Sequence, residues 1–231
     1  MKLLVMIPAH NEAGSIAAVV DELLHTIPDC HYVVINDGSE DDTAAICRAG
    51  GYPMLDLPVN LGLTKAFQTG ILYAWLKGYD TVIQIDGDGQ HDPKHIPRMS
   101  EIMEKNDADL VIASRYREAH KPKGLRSVGN TLLSLAIRLT TGKKVTDSTS
   151  GMRMYGKRLL EIMATDINST PEPDTIAYLL MCGAKVEECQ VTMRERTTGT
   201  SYLSSWRSVT YMAHMILSIF FVQRLRKRRK L

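Results

Sequence analysis

Asp86 and Asp88 stand two apart directly after the apolar run 82–85, and Gly87 and Gly89 remove side chains that would crowd them. Two carboxylates on a turn at the end of a strand can share a hard cation with phosphate oxygens, a task that suits Mg²⁺ or Mn²⁺. Gln90 offers a carbonyl oxygen as a third ligand. Asp and Gly are also ordinary turn formers, so the same residues could close a loop and do nothing more. The segment does not continue into an EF-hand calcium loop, which needs further acids and a closing Glu. His91 and His95 have the spacing of a helical metal pair, but Asp92 and Pro93 stand where a zinc-protease helix needs its Glu, so incidental polar residues are the expectation there.

The elements that must position this turn can be read from periodicity. Short apolar, β-rich runs at 3–7, 32–35, 54–57, 81–85 and 110–113 predict strands. Between them Ile16, Val19, Val20, Leu23 and Leu24, then Phe67, Ile71, Ala74 and Trp75, fall at helical spacing. Such alternation predicts a layered α/β fold with a mostly parallel sheet flanked by helices. Polar clusters at 8–12, 36–39, 86–90 and 114–117 follow four of the strands. Ligands in open α/β sheets bind at the carboxyl ends of strands, so these clusters are expected to converge on one crevice. A Lys/Pro/Gly stretch at 120–124 reads as a mobile loop, and a helix over 125–139 follows, capped by Gly142. The run 145–155 carries a polar turn, Asp147-Ser-Thr-Ser-Gly151, and a helix near 174–181 precedes a strand at 185–191.

The 231 residues fit one domain with a short appendage, and 44% apolar with 23% charged residues exclude a disordered chain. The net charge is +2, but Arg224, Arg226, Lys227, Arg228, Arg229 and Lys230 supply six positive charges, so the remainder is net acidic. A nucleic-acid binder would spread its Lys and Arg over the folded surface, which argues against that partner. Four cysteines without a Cys-x-x-Cys pair suit a reduced, cytosolic core. The apolar run after Lys2 ends at Pro8, too short for a signal peptide, so export is not expected.

Residues 202–222 lack Gly and Pro and predict one amphipathic helix, with Trp206, Val209, Ala213, Ile216, Leu217 and Phe220 as its stripe. Its uncharged part is too short to span a bilayer comfortably. Stripe and basic tail together predict attachment to an anionic membrane surface; core packing with a solvated tail, or a homodimer interface, are the alternatives. The chain divides by pattern into 1–201 and 202–231.

The motifs in order resemble the family 2 glycosyltransferases of the GT-A fold, a Rossmann-like architecture, and among them the polyprenyl-phosphate type that includes dolichyl-phosphate mannose synthase. They are Ile7-Pro-Ala-His-Asn-Glu12, Asn36-Asp-Gly-Ser39, Asn60-Leu-Gly62, Asp86-Gly-Asp-Gly-Gln-His91 with Pro93, Ser114-Arg-Tyr116 and Asp147-Ser-Thr-Ser-Gly-Met-Arg153. The resemblance implies that Pro8, Ala9, Asn11, Glu12 and Gly38 line the nucleotide pocket of a UDP- or GDP-sugar, with Asp37 accepting a hydrogen bond from the base. It implies that Asp86, Gly87, Asp88 and Gln90 form the metal and diphosphate site. Arg196, in Arg196-Thr-Thr-Gly-Thr-Ser201, would contact the diphosphate. Asn36 stands where the family usually has a second acid, and Tyr202 where it often has Lys.

The chemistry implied is a single displacement with inversion, in which metal and Arg stabilise charge on the departing nucleoside diphosphate. Arg115 and Arg126 match positions that clamp an acceptor phosphate, and Asn130 lies one turn beyond Arg126 on the same helical face. A lipid phosphate, ionised at neutral pH, attacks without a base, whereas a hydroxyl of a lipid-linked glycan would need one. Asp174, in Thr170-Pro-Glu-Pro-Asp174, is the candidate base, with helix N-capping as its plain alternative. The expected enzyme sits peripherally on the cytoplasmic face of the cell membrane. A nucleotidyltransferase would need a basic, Gly-rich loop after the first strand, and residues 8–14 contain no Lys or Arg. A non-catalytic nucleotide- or membrane-binding protein is the remaining class.

Overall fold

The computed structural model describes residues 1–118, 125–166, 168–194, 205–229 and 231. In chain order the strands are β1 (Leu3–Ala9), β2 (His31–Asp37), β3 (Met54–Leu57), β4 (Thr81–Gln84), β5 (Leu110–Ser114), β6 (Arg153–Gly156) and β7 (Val186–Gln190). The helices are α1 (Ile16–Thr26), α2 (Thr43–Ala49), α3 (Leu63–Leu76), α4 (Ile96–Asn106), α5 (Leu125–Thr141), α6 (Lys157–Thr165), α7 (Pro173–Met181) and α8 (Ser205–Leu217). A π-helical turn, Ser218–Val222, and a last helical turn, Gln223–Leu225, continue α8.

Seven strands form one sheet in the order β3-β2-β1-β4-β6-β5-β7. All are parallel except β6, which runs antiparallel to both β4 and β5. β1 reads as an unbroken apolar run, and β4 is buried along its whole length, Thr81 and Gln84 included, because helices cover both faces of the sheet. Alternate residues feed the two layers. Leu4, Met6, Val33 and Ile35 pack with α3, α5, α6 and α7, while Val5, Ile7 and Val34 pack with α1, α2 and α4.

The strand order reverses between β1 and β4: the chain first steps outward through β2 and β3, then returns to the other side of β1. A crevice opens at the carboxyl ends of the strands at such a switch point. Since β6 is antiparallel, the turn that enters it, 147–152, lies at that same edge of the sheet.

The C-terminal segment departs from the expected stripe. Met212, Met215, Ile216, Ile219 and Phe220 pack into the α3/α5/α6/α7 core, with Ile219 fully buried, whereas Val209, Ala213 and Leu217 are exposed. Tyr211, expected off the packed face, turns inward and donates to Glu172 Oε2. The packed residues keep α-helical spacing but on a different face from the one expected. Beyond α8 the π-helical turn, with its five-residue spacing, puts Ser218 and Gln223 on one side, where Ser218 Oγ and Gln223 Nε2 donate to Asp174 Oδ2 at 2.6 and 2.8 Å. No helix of the described residues is long and apolar enough to cross a membrane.

Candidate active site

The end of β1 is stitched to the end of β2. Asn11 adopts φ 57°, its N–H donates to Ser39 Oγ at 3.0 Å, and its Oδ1 accepts from the Glu40 N–H at 2.9 Å. The Glu12 N–H donates to Thr43 Oγ1, and its carbonyl receives the N–H groups of Ser15 and Ile16 that begin α1. Gly38 has φ +59°, and a Cβ there would lie 2.2 Å from the Val59 carbonyl carbon, so only glycine lets this turn meet the 59–60 backbone. Asp37 is buried, and its Oδ1 accepts from the Leu61 N–H at 2.8 Å. Asn36 donates to Asp56 Oδ1 at 2.6 Å, which explains the missing acid: a carboxylate at 36 would face Asp56.

Beside this, the 86–90 turn leaves β4. The Gly87 N–H donates to Pro8 O at 3.3 Å, and a Cβ at Gly87 would come within 3.2 Å of that oxygen and 3.4 Å of Ala9 Cβ. Gln84 Nε2 donates to Asp86 Oδ1, and the Gln90 N–H donates to Asp88 Oδ1, each at 3.0 Å. His91 Nδ1 accepts the Asp86 N–H at 3.0 Å, which places the proton of a neutral ring on Nε2. The same Nδ1 is 3.7 Å from Asp86 Oδ2, but with its lone pair already engaged this contact is no ion pair. From the far side Gly151 closes in: a Cβ there would stand 3.2 Å from both Asp86 Oδ2 and His91 Cε1. The Asp86 side chain stays 35% exposed and is the more accessible of the two acids, while Asp88 is buried.

The 147–151 turn is held by its own frame. Arg115 Nε and Nη2 donate to Asp147 Oδ2 and Oδ1 at 2.7 and 2.8 Å, Nη2 also reaches Thr149 Oγ1, and the pairing pushes the guanidinium pKa up. Glu188 Oε1, from β7, accepts the N–H groups of Thr146 and Asp147. Buried Arg153 donates to the carbonyls of Ser150, Ser148 and Glu172. Asn130, expected beside an acceptor phosphate, is instead buried, donating to Thr146 O and accepting from Ser148 Oγ. Its amide holds the turn. Asp174, read as base or N-cap, is neither Ncap nor exposed: Glu172 is the Ncap, Pro173 follows, and Asp174 sits buried in the first turn of α7.

Arg194, after β7, was not singled out by sequence. Its N–H donates to Gln90 O at 3.1 Å, its guanidinium pairs with both Glu22 oxygens at 2.7 Å, and it lies 2.8 Å from Asp92 Oδ2. Burial raises the Asp92 carboxyl pKa, but hydrogen bonds from Lys94 and Arg194 outweigh it and hold the group below the usual range. The chain leaving β7 is thus tied to the 86–92 turn. His95 Nε2 accepts the Thr192 N–H at 3.3 Å, and burial lowers its pKa. Arg196 and the loop 120–124 lie outside the described residues, as does the Arg126 side chain, although Arg126 falls in the first turn of α5.

The donor set fits a hard divalent cation better than zinc. The two Asp carboxylates lie on one turn with Gln90, and among the described residues no group of three or more His, Cys, Asp or Glu forms a metal cage. Mg²⁺ and Mn²⁺ at phosphate sites take one or two carboxylates and fill the rest of their shell from phosphate and water. Gln84 Oε1, two residues before Asp86, and Ser150 Oγ, next to Gly151, are buried without a hydrogen-bond partner among the described residues.

Among protein families, the model described as Glycosyl transferase family 2 matches residues 4–163. An undecaprenyl-phosphate mannosyltransferase of Micrococcus luteus is 30% identical over 216 residues, covering 88% of this chain and 88% of the relative. A polyprenol monophosphomannose synthase of Mycolicibacterium smegmatis is 28% identical over 88% of this chain and 81% of its own. Among solved structures, glucosyl-3-phosphoglycerate synthase of Mycobacterium tuberculosis, in complex with Mn²⁺, UDP and glucosyl-3-phosphoglycerate, superposes with a TM-score of 0.69. It is 19% identical and covers 96% of this chain and 79% of its own, a likeness of fold.

Proposed function

The chain belongs to glycosyl transferase family 2 and is a glycosyltransferase of the GT-A fold, and we propose that it moves a sugar from a nucleoside diphosphate to a polyprenyl phosphate at the cytoplasmic face of the membrane. The carrying observation is that Asp86 and Asp88 stand on one turn at the β1/β4 switch point, where ligands bind in open α/β sheets, with the Asp86 side chain still 35% exposed. Asp86, Asp88 and Gln90 would hold Mg²⁺ or Mn²⁺. When bound, the cation offsets the charge that grows on the diphosphate as the sugar–phosphate bond breaks. Pro8, Ala9, Asn11, Glu12, Asp37 and Gly38 would line the nucleotide, UDP or GDP, and Arg196 would meet the diphosphate.

For the acceptor, the names of the Micrococcus and Mycolicibacterium relatives support a lipid phosphate. Arg115, oriented by Asp147, and Arg126 would bind that phosphate, which attacks the anomeric carbon with inversion and needs no base. The second reading, transfer to a hydroxyl of a lipid-linked glycan, takes Asp174 as base and has one observation in its favour: Asp174 Oδ1 is buried without a partner among the described residues. Against it, Oδ2 is held by Ser218 and Gln223.

A thermal-shift screen of UDP- and GDP-sugars with and without Mn²⁺ tests the donor half, since a ligand that binds the folded state raises its melting temperature. Stabilisation that needs both nucleotide and metal, and that disappears in Asp86→Asn, is expected. No shift with any nucleotide-sugar would sink the donor assignment. For the acceptor, Arg126→Ala should abolish transfer to polyprenyl phosphate, and Asp174→Asn should change the turnover of folded enzyme by less than about tenfold. The opposite pattern makes Asp174 the base, since general-base catalysis contributes about 10²–10⁴-fold.

A further inference from the structure

We infer that Glu188 and Gln190, two residues apart on β7, form a positioning pair for Arg115 and so set how firmly the protein holds the phosphate of its acceptor, which rests on the lipid-phosphate reading. β7 closes one edge of the sheet and runs parallel to β5, with Glu188 opposite Ile112 and Gln190 opposite Ser114. Residues two apart on a strand point to the same side, so the two side chains share one face. Polar residues on an edge strand ordinarily face water and keep the edge from pairing with other chains. Here both are half-buried, and their polar atoms bond to the chain around Arg115.

Glu188 holds the turn behind the Arg115 side chain. Its Oε1 accepts the N–H groups of Thr146 and Asp147 at 2.9 and 3.0 Å and the Thr146 hydroxyl at 2.7 Å. Because Thr146 gives its one hydroxyl proton to Glu188, its Oγ1 accepts from Ser114 Oγ at 2.8 Å, which ties down the residue before Arg115. Asp147, placed in this way and fully buried, accepts the Arg115 backbone N–H as well as its Nε and Nη2 groups. Gln190 holds the other side: its Nε2 donates to Arg115 O at 3.2 Å, and its Oε1 accepts the Glu118 N–H at 2.8 Å.

These bonds leave Arg115 one free edge. Nε and Nη2 are committed to Asp147 and Thr149, Nη1 has no partner among the described residues, and the side chain is 33% exposed. A guanidinium is planar, so fixing two of its nitrogens fixes where the N–H groups of the third point. A phosphate oxygen gains from such donors only while they keep that direction. Glu188 and Gln190 thus act through Arg115, the first by way of Asp147 and the second by way of its backbone. Neither falls within the six sequence motifs, and both reach Arg115 because β7 lies beside β5.

The test is calorimetric titration of the full chain with farnesyl phosphate, a short polyprenyl phosphate, and with farnesol, which lacks the phosphate. The native chain should bind the phosphate more tightly than the alcohol. Gln190→Leu should weaken farnesyl phosphate about tenfold, the size of one hydrogen bond to a charged group, and leave farnesol binding and the circular dichroism unchanged. Glu188→Ala should do the same, and Glu188→Gln, which keeps an oxygen for the Thr146 and Asp147 N–H groups, should recover most of the loss. Gln190→Leu, at a half-buried edge position, carries the test alone if Glu188→Ala does not fold. Arg115→Lys keeps a cation against Asp147 but offers no second nitrogen, so it should also weaken the phosphate. Adding Gln190→Leu to it should cost nothing further, because residues that act through one group are not additive. If Arg115→Lys weakens binding while either Gln190→Leu or a folded Glu188→Ala binds as the native chain does, the positioning pair is overturned and the lipid-phosphate reading stands. Full additivity of Gln190→Leu with Arg115→Lys, or an equal loss of farnesol, overturns the pair as well. A native chain that binds phosphate no better than alcohol, with Arg115→Lys unchanged, overturns the lipid-phosphate reading and the pair with it.

Discussion

A methyl group at residue 151 would stand 3.2 Å from Asp86 Oδ2 and from His91 Cε1, the ring that holds the Asp86 backbone N–H. Either the carboxylate or the imidazole must move, and both set the geometry offered to a cation. Gly151→Ala should therefore raise the Mn²⁺ concentration needed for half-maximal transfer by about tenfold, as displaced residues that orient ligands typically do. Urea stability should fall by less than ~1.5 kcal/mol, because the contact is with movable side-chain atoms. An unchanged metal titration would show that Gly151 does not shape this turn. Arg115 carries a second expectation. If it served only an acceptor, its loss would leave the fold untouched; but it pairs through two nitrogens with Asp147, whose side chain is fully buried. Arg115→Ala should cost ~3 kcal/mol in urea denaturation, since a buried carboxylate is left without its cation, alongside any loss of transfer. Stability equal to the native chain would free Arg115 for a purely acceptor role.

Among the elements, the parallel strands were legible because a strand covered on both faces is dominated by apolar residues, as 3–7 is throughout and 81–85 is at Val82, Ile83 and Ile85. α4 and α6 were harder to see: each buries only three apolar residues, Ile96, Met99 and Met103 or Leu159, Leu160 and Met163, among many charges. The antiparallel entry of β6 could not be read, yet it brings Gly151 and Asp147 to the crevice. The motif turns at 8–12, 36–39, 86–90 and 147–151 come together at the carboxyl end of the sheet, whereas Arg194 and the contacts of Asn130 depend on packing across the sheet edge that no local pattern encodes. The basic tail was read by charge alone, and there the structure divides it. Arg226 is mostly buried, stacks 3.9 Å over the Tyr178 ring and donates to Asp166 Oδ2 at 2.6 Å. Burial raises the Asp166 carboxyl pKa, but hydrogen bonds from Arg226 and the Asn168 N–H, with the Arg226 and Arg229 charges, bring it below the usual value. A carboxyl depressed on folding stabilises the folded state above its unfolded pKa of about 4, and that contribution is lost as pH falls through the folded value. Hydrogen exchange of 223–229 should therefore accelerate below about pH 4, and Asp166→Asn should show the same release at neutral pH. Equal protection in the variant and the native chain at neutral pH would mean that this pair does not hold the tail.

At the scale of the whole molecule, the question is whether residues 205–231 are a detachable anchor or part of the domain. Ile219 is fully buried in the same core as Leu4, Met6, Phe67 and Tyr178, with Met212, Met215, Ile216 and Phe220 packed around it. Polar contacts bind the segment as well: Ser218 and Gln223 to Asp174, Tyr211 to Glu172, and the Tyr178 hydroxyl to Lys227 O at 3.0 Å. The segment therefore has two faces, one completing the core and the other left apolar and basic. Burying a large aliphatic side chain is worth about 1.5–3 kcal/mol, so Ile219 and its partly buried neighbours together contribute on the order of 5 kcal/mol or more. A domain of this kind is typically stable by only 5–15 kcal/mol. Ending the chain at residue 204 should consequently lower the urea midpoint by a third or more and expose dye-binding apolar surface, not merely release a folded enzyme from vesicles. If the shortened chain keeps its midpoint and its nucleotide-dependent thermal shift, the C-terminal helix is an appendage, and the Asp174–Ser218–Gln223 contacts contribute nothing to the fold.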